Sequence, residues 1–235
     1  MVAIGDRRFS PIKTMASLAY YSQTFPMKDG VPDPSPTFEL VKALRESKAG
    51  KIVIYFSSLH FGTDVYGKRY LHFNDQDVGQ IDQFFERLNA FIKSYSKDEV
   101  EFRIMLGGAG GAYSVLFEEF DTYYGMLQAF LLKYQFLSGI DLDVEEMLDS
   151  DQAKALVKIQ KLISRIHSDT HGFMERERGF AITMAPVASS LTTDGTGMGG
   201  FSYKSLLKST AGKLLSGLNV QMYGCFNEKT IRDII

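Results

Sequence analysis

Asp141, Asp143 and Glu145 stand at alternate positions in Ser138-Gly139-Ile140-Asp141-Leu142-Asp143-Val144-Glu145, with Ile140, Leu142 and Val144 between them. Successive side chains on a β-strand point to opposite faces, so this order puts the acids on one face and the aliphatics on the other. Neighbouring carboxylates raise each other's pKa and share protons, which is how a carboxylic acid stays protonated near neutral pH. The chemistry within reach is that of a carboxylic acid able to give or share a proton near neutral pH. Two other readings fit the same pattern: a solvated strand face, and a divalent-metal site built from the same oxygens.

The remaining chemistry-bearing residues are less specific. Gly107 to Gly111 contains four glycines, but no G-x-x-x-x-G-K-[ST] pattern surrounds them, so the run is read as a place where backbone or ligand approaches closely. His167 and His171 are at i, i+4 without the glutamate of H-E-x-x-H, and His60 and His72 show no metal spacing; no metal or other cofactor is expected. Tyr20, Tyr21 and Phe25 line a ligand cleft or belong to the core, and each taken singly reads as core. Cys225 is the single cysteine and reads as a small buried hydrophobe.

The elements that must position these residues alternate between short apolar runs and helical patterns, the order of parallel βα units. Strands are expected at Ala16 to Tyr21, Lys51 to Ser57, Val100 to Leu106, the acidic segment, Phe180 to Pro186 and Leu218 to Tyr223. Between them, helices are expected from Ser35 to about Leu44, closed by Gly50, from Ile81 to Tyr95, and as one long helix from about Ser114 to Tyr134. A further helix is capped by Asp149, Ser150 or Asp151 and striped by Leu156, Ile159, Ile163 and Ile166, and another spans Tyr203 to Ser216. Tyr70 to Asp77 reads as a polar loop and Ser189 to Gly200 as a Gly- and Thr-rich one. The fold class is α/β, a (β/α)8 TIM-barrel type that is incomplete after the sixth strand, in which chemistry sits at the C-terminal strand ends. A doubly wound open sheet is the rival, but no glycine fingerprint follows the first strand.

Length and composition are consistent with one domain over residues 1–235: 45% of residues are hydrophobic and 23% charged. A net charge of -2 without a sustained basic run argues against a nucleic-acid surface. No run approaches the ~18 apolar residues of a membrane span and no apolar leader opens the sequence, so the expected compartment is the cytoplasm unless a leader was removed.

The acidic segment resembles the fourth-strand signature D-G-x-D-x-D-x-E of glycoside hydrolase family 18, the chitinases and endo-β-N-acetylglucosaminidases. Ile104-Met105-Leu106-Gly107-Gly108 is similar to the third-strand S-x-G-G block, Thr183-Met184-Ala185-Pro186 to the fifth-strand segment, and Val220-Gln221-Met222-Tyr223 to the sixth-strand Q-x-Y. The resemblance implies hydrolysis of β-1,4 linkages in N-acetylglucosamine-containing oligo- or polysaccharides. The substrate's acetamido oxygen would be the nucleophile, with an oxazolinium intermediate. It also implies that Glu145 is the general acid, that Asp143 orients the acetamido group, that Asp141 supports Asp143, and that Tyr223 hydrogen-bonds the reacting group. Tyr20, Gly107, Gly108, Met184 and Gln221 are expected to line the substrate cleft.

Departures from the pattern are Ser138 for the first Asp, Met105 for the third-strand Ser, and the absence of any Trp. With no seventh and eighth βα units found, the first and sixth strands are expected to have open edges that favour self-association, and catalysis is expected to be weak. A non-catalytic, lectin-like relative is the alternative, against which stands the presence of both Asp143 and Glu145. The metal-dependent hydrolase reading lacks a His or acid cluster at other strand ends.

Overall fold

A computed structural model of the chain describes residues 17–47, 50–74, 76–77, 81–172, 179–192 and 195–222. In chain order the elements are β1 (Leu18–Ser22), β2 (Met27–Lys28), β3 (Val31–Pro32), α1 (Ser35–Glu46), β4 (Ile52–Thr63), β5 (Arg69–Phe73), β6 (Gln76–Asp77) and α2 (Asp82–Ile92). They continue with β7 (Val100–Gly107), α3 (Tyr113–Glu118), α4 (Phe120–Lys133), β8 (Gly139–Asp143), α5 (Gln152–Gly172), β9 (Ala181–Met184), α6 (Tyr203–Lys208) and β10 (Gly217–Leu218).

Six strands run parallel in the order β1-β4-β7-β8-β9-β10, curled into an incomplete TIM barrel with helices outside. Ile52, Ile54, Phe56, Phe102, Ile104, Leu106, Ile140, Leu142, Ile182 and Met184 alternate along the strands and are buried toward the helices. The opposite face carries Tyr55, Glu101, Arg103, Asp141, Asp143 and Thr183 into the barrel. The helices answer with stripes at three- and four-residue spacing, such as Phe84, Phe85, Leu88 and Ile92 on α2 and Ala155, Ile159, Leu162, Ile163 and Ile166 on α5. Burying each of these Phe, Leu and Ile side chains contributes about 1.5–3 kcal/mol before entropy is counted. Phenylalanines supply much of the seam: Phe25, Phe73 and Phe84 meet edge to face, as do Phe56, Phe84 and Phe102.

Several expected boundaries move. β4 runs on past Ser57 to Thr63, and the stretch read as a polar loop supplies β5, antiparallel to the second half of β4, and β6 beside it. The alternation of Tyr70, His72 and Leu71, Phe73 is the strand signal that the polar character of this segment hid. β4 therefore has β1 beside its first half and β5 beside its second, with a bulge between Phe56 and Ser58 at the changeover. Ser57 adopts φ 29° there and its hydroxyl accepts from Asn74 Nδ2 at 3.1 Å.

The long helix expected from Ser114 to Tyr134 is two helices, broken at Glu119 where φ is -133° and ψ 64°. The expected helix from Tyr203 to Ser216 stops at Lys208, and a 3-10 turn at Gly212–Leu214 follows, folded back so that a Cβ on Gly212 would lie 2.0 Å from the Leu206 carbonyl oxygen. α1 ends at Glu46, four residues before Gly50. Of the three cap candidates, Asp151 is the one whose carboxylate receives the Ala153 and Lys154 amides. Among the described residues no helix is long and apolar enough to cross a membrane.

Candidate active site

β8 brings Asp141 and Asp143 into the barrel at successive inward positions, paired in register with Met105 and Gly107 of β7. The strand ends at Asp143, so Glu145 stands one step beyond it on a loop rather than on the strand itself. That loop is firmly held. Glu146 accepts the backbone amides of Ala112 and Tyr113 at the start of α3, Leu148 donates to the Gly199 carbonyl at 3.1 Å, and Lys158 donates to the Leu148 carbonyl at 2.7 Å. Burial opposes charge on Glu146, but the Ser114 hydroxyl and these amides outweigh it and hold its pKa below the usual value.

Asp141 is fully buried. Tyr21 donates its hydroxyl to Oδ2 at 2.7 Å, while Thr183 Oγ1 and Asn219 Nδ2 donate to Oδ1 at 2.5 and 3.0 Å. Burial pushes its pKa up, and those donors together with the Arg103 charge pull the other way; the net direction is upward. Beneath it, Arg103 donates to Tyr55 Oη at 2.9 Å and pairs with Glu101, which also binds Lys51 at 2.6 Å. Tyr21 and Tyr55 stack with ring centres 4.5 Å apart and planes 8° from parallel.

Asp143 is 6% exposed and has a different environment. One oxygen accepts Gln221 Nε2 at 2.8 Å, and the same nitrogen reaches the Ala185 carbonyl at 2.9 Å and Glu145 Oε1 at 3.4 Å. Burial, then the charges of Glu145 and Asp141, raise the Asp143 pKa to about 7. Asp143 and Glu145 border a cavity of about 670 Å³, shared with Gln23, Ser58, Asn74 and Met105 among others. They are the only ionisable carboxyl groups on its described walls, and no Lys, Arg or His joins them there.

The structure sorts the other sequence candidates. Gln221 and Gly108 reach the cavity. Gly108 donates its amide to the Asp143 carbonyl at 2.8 Å, and a side chain there would meet Asp143 Oδ2 and Ser58 Oγ at 3.3 Å. Three candidates are corrected. Tyr20 points outward from β1 and is 45% exposed, because the inward positions of that strand are Ala19 and Tyr21. Met184 is an outward position of β9 and is wholly buried in the core. Gly107 does not border the cavity; it has φ 89° and is packed against the Tyr113 ring and the Asp143 carbonyl, where a Cβ would lie 2.4 and 2.5 Å from its neighbours. Tyr223 and Cys225 lie outside the described residues. Ser138, where the resembling signature has Asp, is buried and donates to the Phe102 carbonyl at 3.2 Å.

Sequence reasoning passed over Thr183, Asn219 and Asn74. The signal for Asn219 was its place two residues before Gln221 on one strand face. Asn74 had none, since it reaches the cavity through the β4–β5 turnback, donating to the Ser57 hydroxyl and the Gln23 carbonyl. Among the described residues no group of three or more His, Cys, Asp or Glu side chains is arranged to hold a metal ion.

Comparison with solved structures gives the fold a wider setting. A family 18 chitinase from Pseudoalteromonas aurantia matches with a TM-score of 0.50 and 20% identity over 76% of this chain and 61% of that one. Family 18 chitinases from Crocus vernus and the fern Peteris ryukyuensis match with TM-scores of 0.55 and 0.53 and identities of 16% and 14%, each over 88% of this chain and 68% of its counterpart. The chain shares the fold of these chitinases. It spans less than two thirds of the length of the Pseudoalteromonas enzyme. No protein-family model matches the sequence, and no curated protein matches it.

Proposed function

We propose that the chain is a glycoside hydrolase that cleaves β-1,4 linkages of N-acetylglucosamine-containing glycans, with the substrate's own acetamido oxygen as nucleophile. The observation that carries this reading is that both carboxyls on the cavity wall, Asp143 and Glu145, rise from one strand end and meet at the same amide nitrogen of Gln221. A scheme with two enzyme carboxylates needs one on either side of the glycosidic bond, and no acid faces this pair across the described walls. Asp143, held protonated up to about pH 7, is also a poor nucleophile. A nucleophile carried by the substrate resolves both points.

In this scheme Glu145 gives its proton to the glycosidic oxygen as the C1–O bond breaks. The acetamido oxygen bonds to C1, an oxygen of Asp143 accepts a hydrogen bond from the acetamido N–H, which keeps its proton, and the positive charge of the resulting oxazolinium lies beside Asp143 and the Glu145 carboxylate. Glu145 then removes a proton from the water that opens the ring, restoring both the acid and the sugar configuration. Asp141 supports Asp143 from below, and Tyr223 belongs to the same proposal as a partner of the acetamido group.

Hydrolysis of a chromogenic chitobioside tests this reading. Glu145→Gln keeps the shape and removes the proton, and is expected to lower kcat by about 10²–10⁴-fold while oligosaccharide binding persists. A substrate with a 2-hydroxyl in place of the acetamido group should not be cleaved; turnover of it would require an enzyme nucleophile. Binding without turnover in the unmodified protein would favour the lectin-like alternative, and inhibition by EDTA would favour a metal-dependent one.

A further inference from the structure

We propose that Asn219 is a positioning residue for the reacting carboxylates: its amide fixes the negative charge of the Asp141–Asp143 pair on Asp141 and leaves the transferable proton with Asp143. This rests on the reading of Asp143 and Glu145 as the reacting groups.

The two aspartates are neighbours on one strand face, but their hydrogen-bond environments are unequal. Asp141 receives Tyr21, Thr183 and Asn219, whereas among the described residues the side-chain donor to Asp143 is Gln221. Two of the donors to Asp141 are hydroxyls, which rotate to accept a hydrogen bond whenever the carboxyl takes up a proton. The amide nitrogen of Asn219 has no such freedom. It faces three oxygens, Asp141 Oδ1 at 3.0 Å, Thr183 Oγ1 at 3.1 Å and Tyr55 Oη at 3.1 Å. Turning the amide over would set its carbonyl oxygen against the same three atoms, one of which already accepts from Arg103 and another of which is a carboxylate. In the orientation present Oδ1 of Asp141 is an acceptor, and it could meet a turned amide only as the protonated acid, so the orientation of the Asn219 amide and the charge on Asp141 are coupled.

The backbone fixes this placement. Asn219 donates its main-chain amide to the Met184 carbonyl at 2.7 Å, and Gln221 donates to that of Pro186 at 2.8 Å, so both side chains leave the same side of the extended segment that follows β10. One segment thus addresses both aspartates, Asn219 the lower and Gln221 the upper. The groups facing Asp141 from the surrounding strands are Tyr21 of β1, Tyr55 of β4, Arg103 of β7, Thr183 of β9 and Asp143 of β8 itself; Arg103 is the cation among them and pairs with Glu101.

The test is the ionisation of the two aspartates followed by carbon NMR on protein labelled at the aspartate carboxyl carbon, comparing the unmodified chain with Asn219→Leu and Thr183→Val. In Asn219→Leu, Asp141 is expected to titrate higher by about one pH unit or more, and Asp143 to lose its proton at lower pH, a tenfold change in the protonated ratio per unit. Thr183→Val should produce the smaller change, since a hydroxyl donor adapts to either state. In parallel, the alkaline limb of kcat/KM on the chitobioside should move toward lower pH in Asn219→Leu with little change in KM, and Asn219→Ser, which restores a donor, should return it part of the way. An unchanged Asp141 titration in Asn219→Leu, or an equal effect of Thr183→Val, overturns the proposal. Should the leucine variant not fold, Asn219→Ala is read in its place with the same expected direction. The NMR arm needs no turnover, so a chain inactive on every glycan would defeat the hydrolase reading while the titration still decides the role of Asn219.

Discussion

Asp143 binds its proton far more tightly in the folded chain than a free aspartate does, its pKa standing at about 7 against an ordinary 3.8. Because the folded state holds the extra proton, stability is complete at low pH and falls as the pH rises from about 4 through 7, where that proton is lost from the native state too. Asp141, shifted in the same direction, adds to the slope. Asp143→Asn removes the need for the proton, so chemical denaturation is expected to show the variant gaining on the order of 2–4 kcal/mol over the parent at pH 8 and little at pH 4. A parallel pH dependence in both proteins would mean that Asp143 is an ordinary carboxylate. By the same logic, kcat/KM should decline above about pH 7, since losing the proton leaves adjacent charged carboxylates on one wall. The alternation of acids and aliphatics made Asp141, Asp143 and Glu145 legible from the sequence, because period two is a property of the chain itself. Thr183 and Asn219 were less visible: a threonine or asparagine on a strand is ordinary until the curl of the sheet brings three strands onto one carboxyl. Tyr20 was misassigned for the converse reason, since a tyrosine pair on a strand reads the same in either register and only the interior partners single out Tyr21.

At the scale of elements, the site depends on how closely β7 and β8 approach. Gly107 stands opposite Asp143 in the ladder with φ 89°, and the Tyr113 ring, whose hydroxyl donates to the Leu106 carbonyl at 2.8 Å, covers it. Gly107→Ala is expected to cost at least about 2–3 kcal/mol, from the unfavourable backbone region plus a Cβ driven into Tyr113 and the Asp143 carbonyl. Thermal denaturation measures it, and a loss below about 1 kcal/mol would show that the loop relaxes freely. The parallel strands and the α2 and α5 helices were legible because their apolar periods are strong. The β4–β5 extension was not: it carries polar and aromatic residues in equal measure, and its pairing comes from a bulge at Ser57 and an asparagine at position 74 that no local period announces. The break at Glu119 was equally silent, lying within a continuous helical stripe.

For the whole molecule, the curled sheet leaves its first strand partly uncovered: Leu18 and Tyr20 on the outer face of β1 are 40% and 45% exposed, where β4, β7, β8 and β9 bury outward residues such as Ile54, Ile104, Leu142 and Met184. Parallel strands are normally covered on both faces, and self-association through this one is therefore a proposal. We expect concentration-dependent self-association in sedimentation velocity that Tyr20→Lys weakens while leaving chitobioside hydrolysis unchanged; a strictly monomeric parent over the accessible concentration range would remove this expectation. The stacked pair of Tyr21 and Tyr55 has an optical consequence as well. The sequence has twelve tyrosines and no tryptophan, so nothing drains tyrosine excitation to a longer wavelength. Tyr21 borders the cavity, is hydrogen-bonded to a carboxylate that quenches its emission, and lies almost parallel to its neighbour, an arrangement that couples the two ring transitions. A ligand entering the cavity that disturbs either contact is expected to change both the ultraviolet fluorescence and the near-ultraviolet circular dichroism, so occupancy is readable from the unlabelled chain without any assay of turnover.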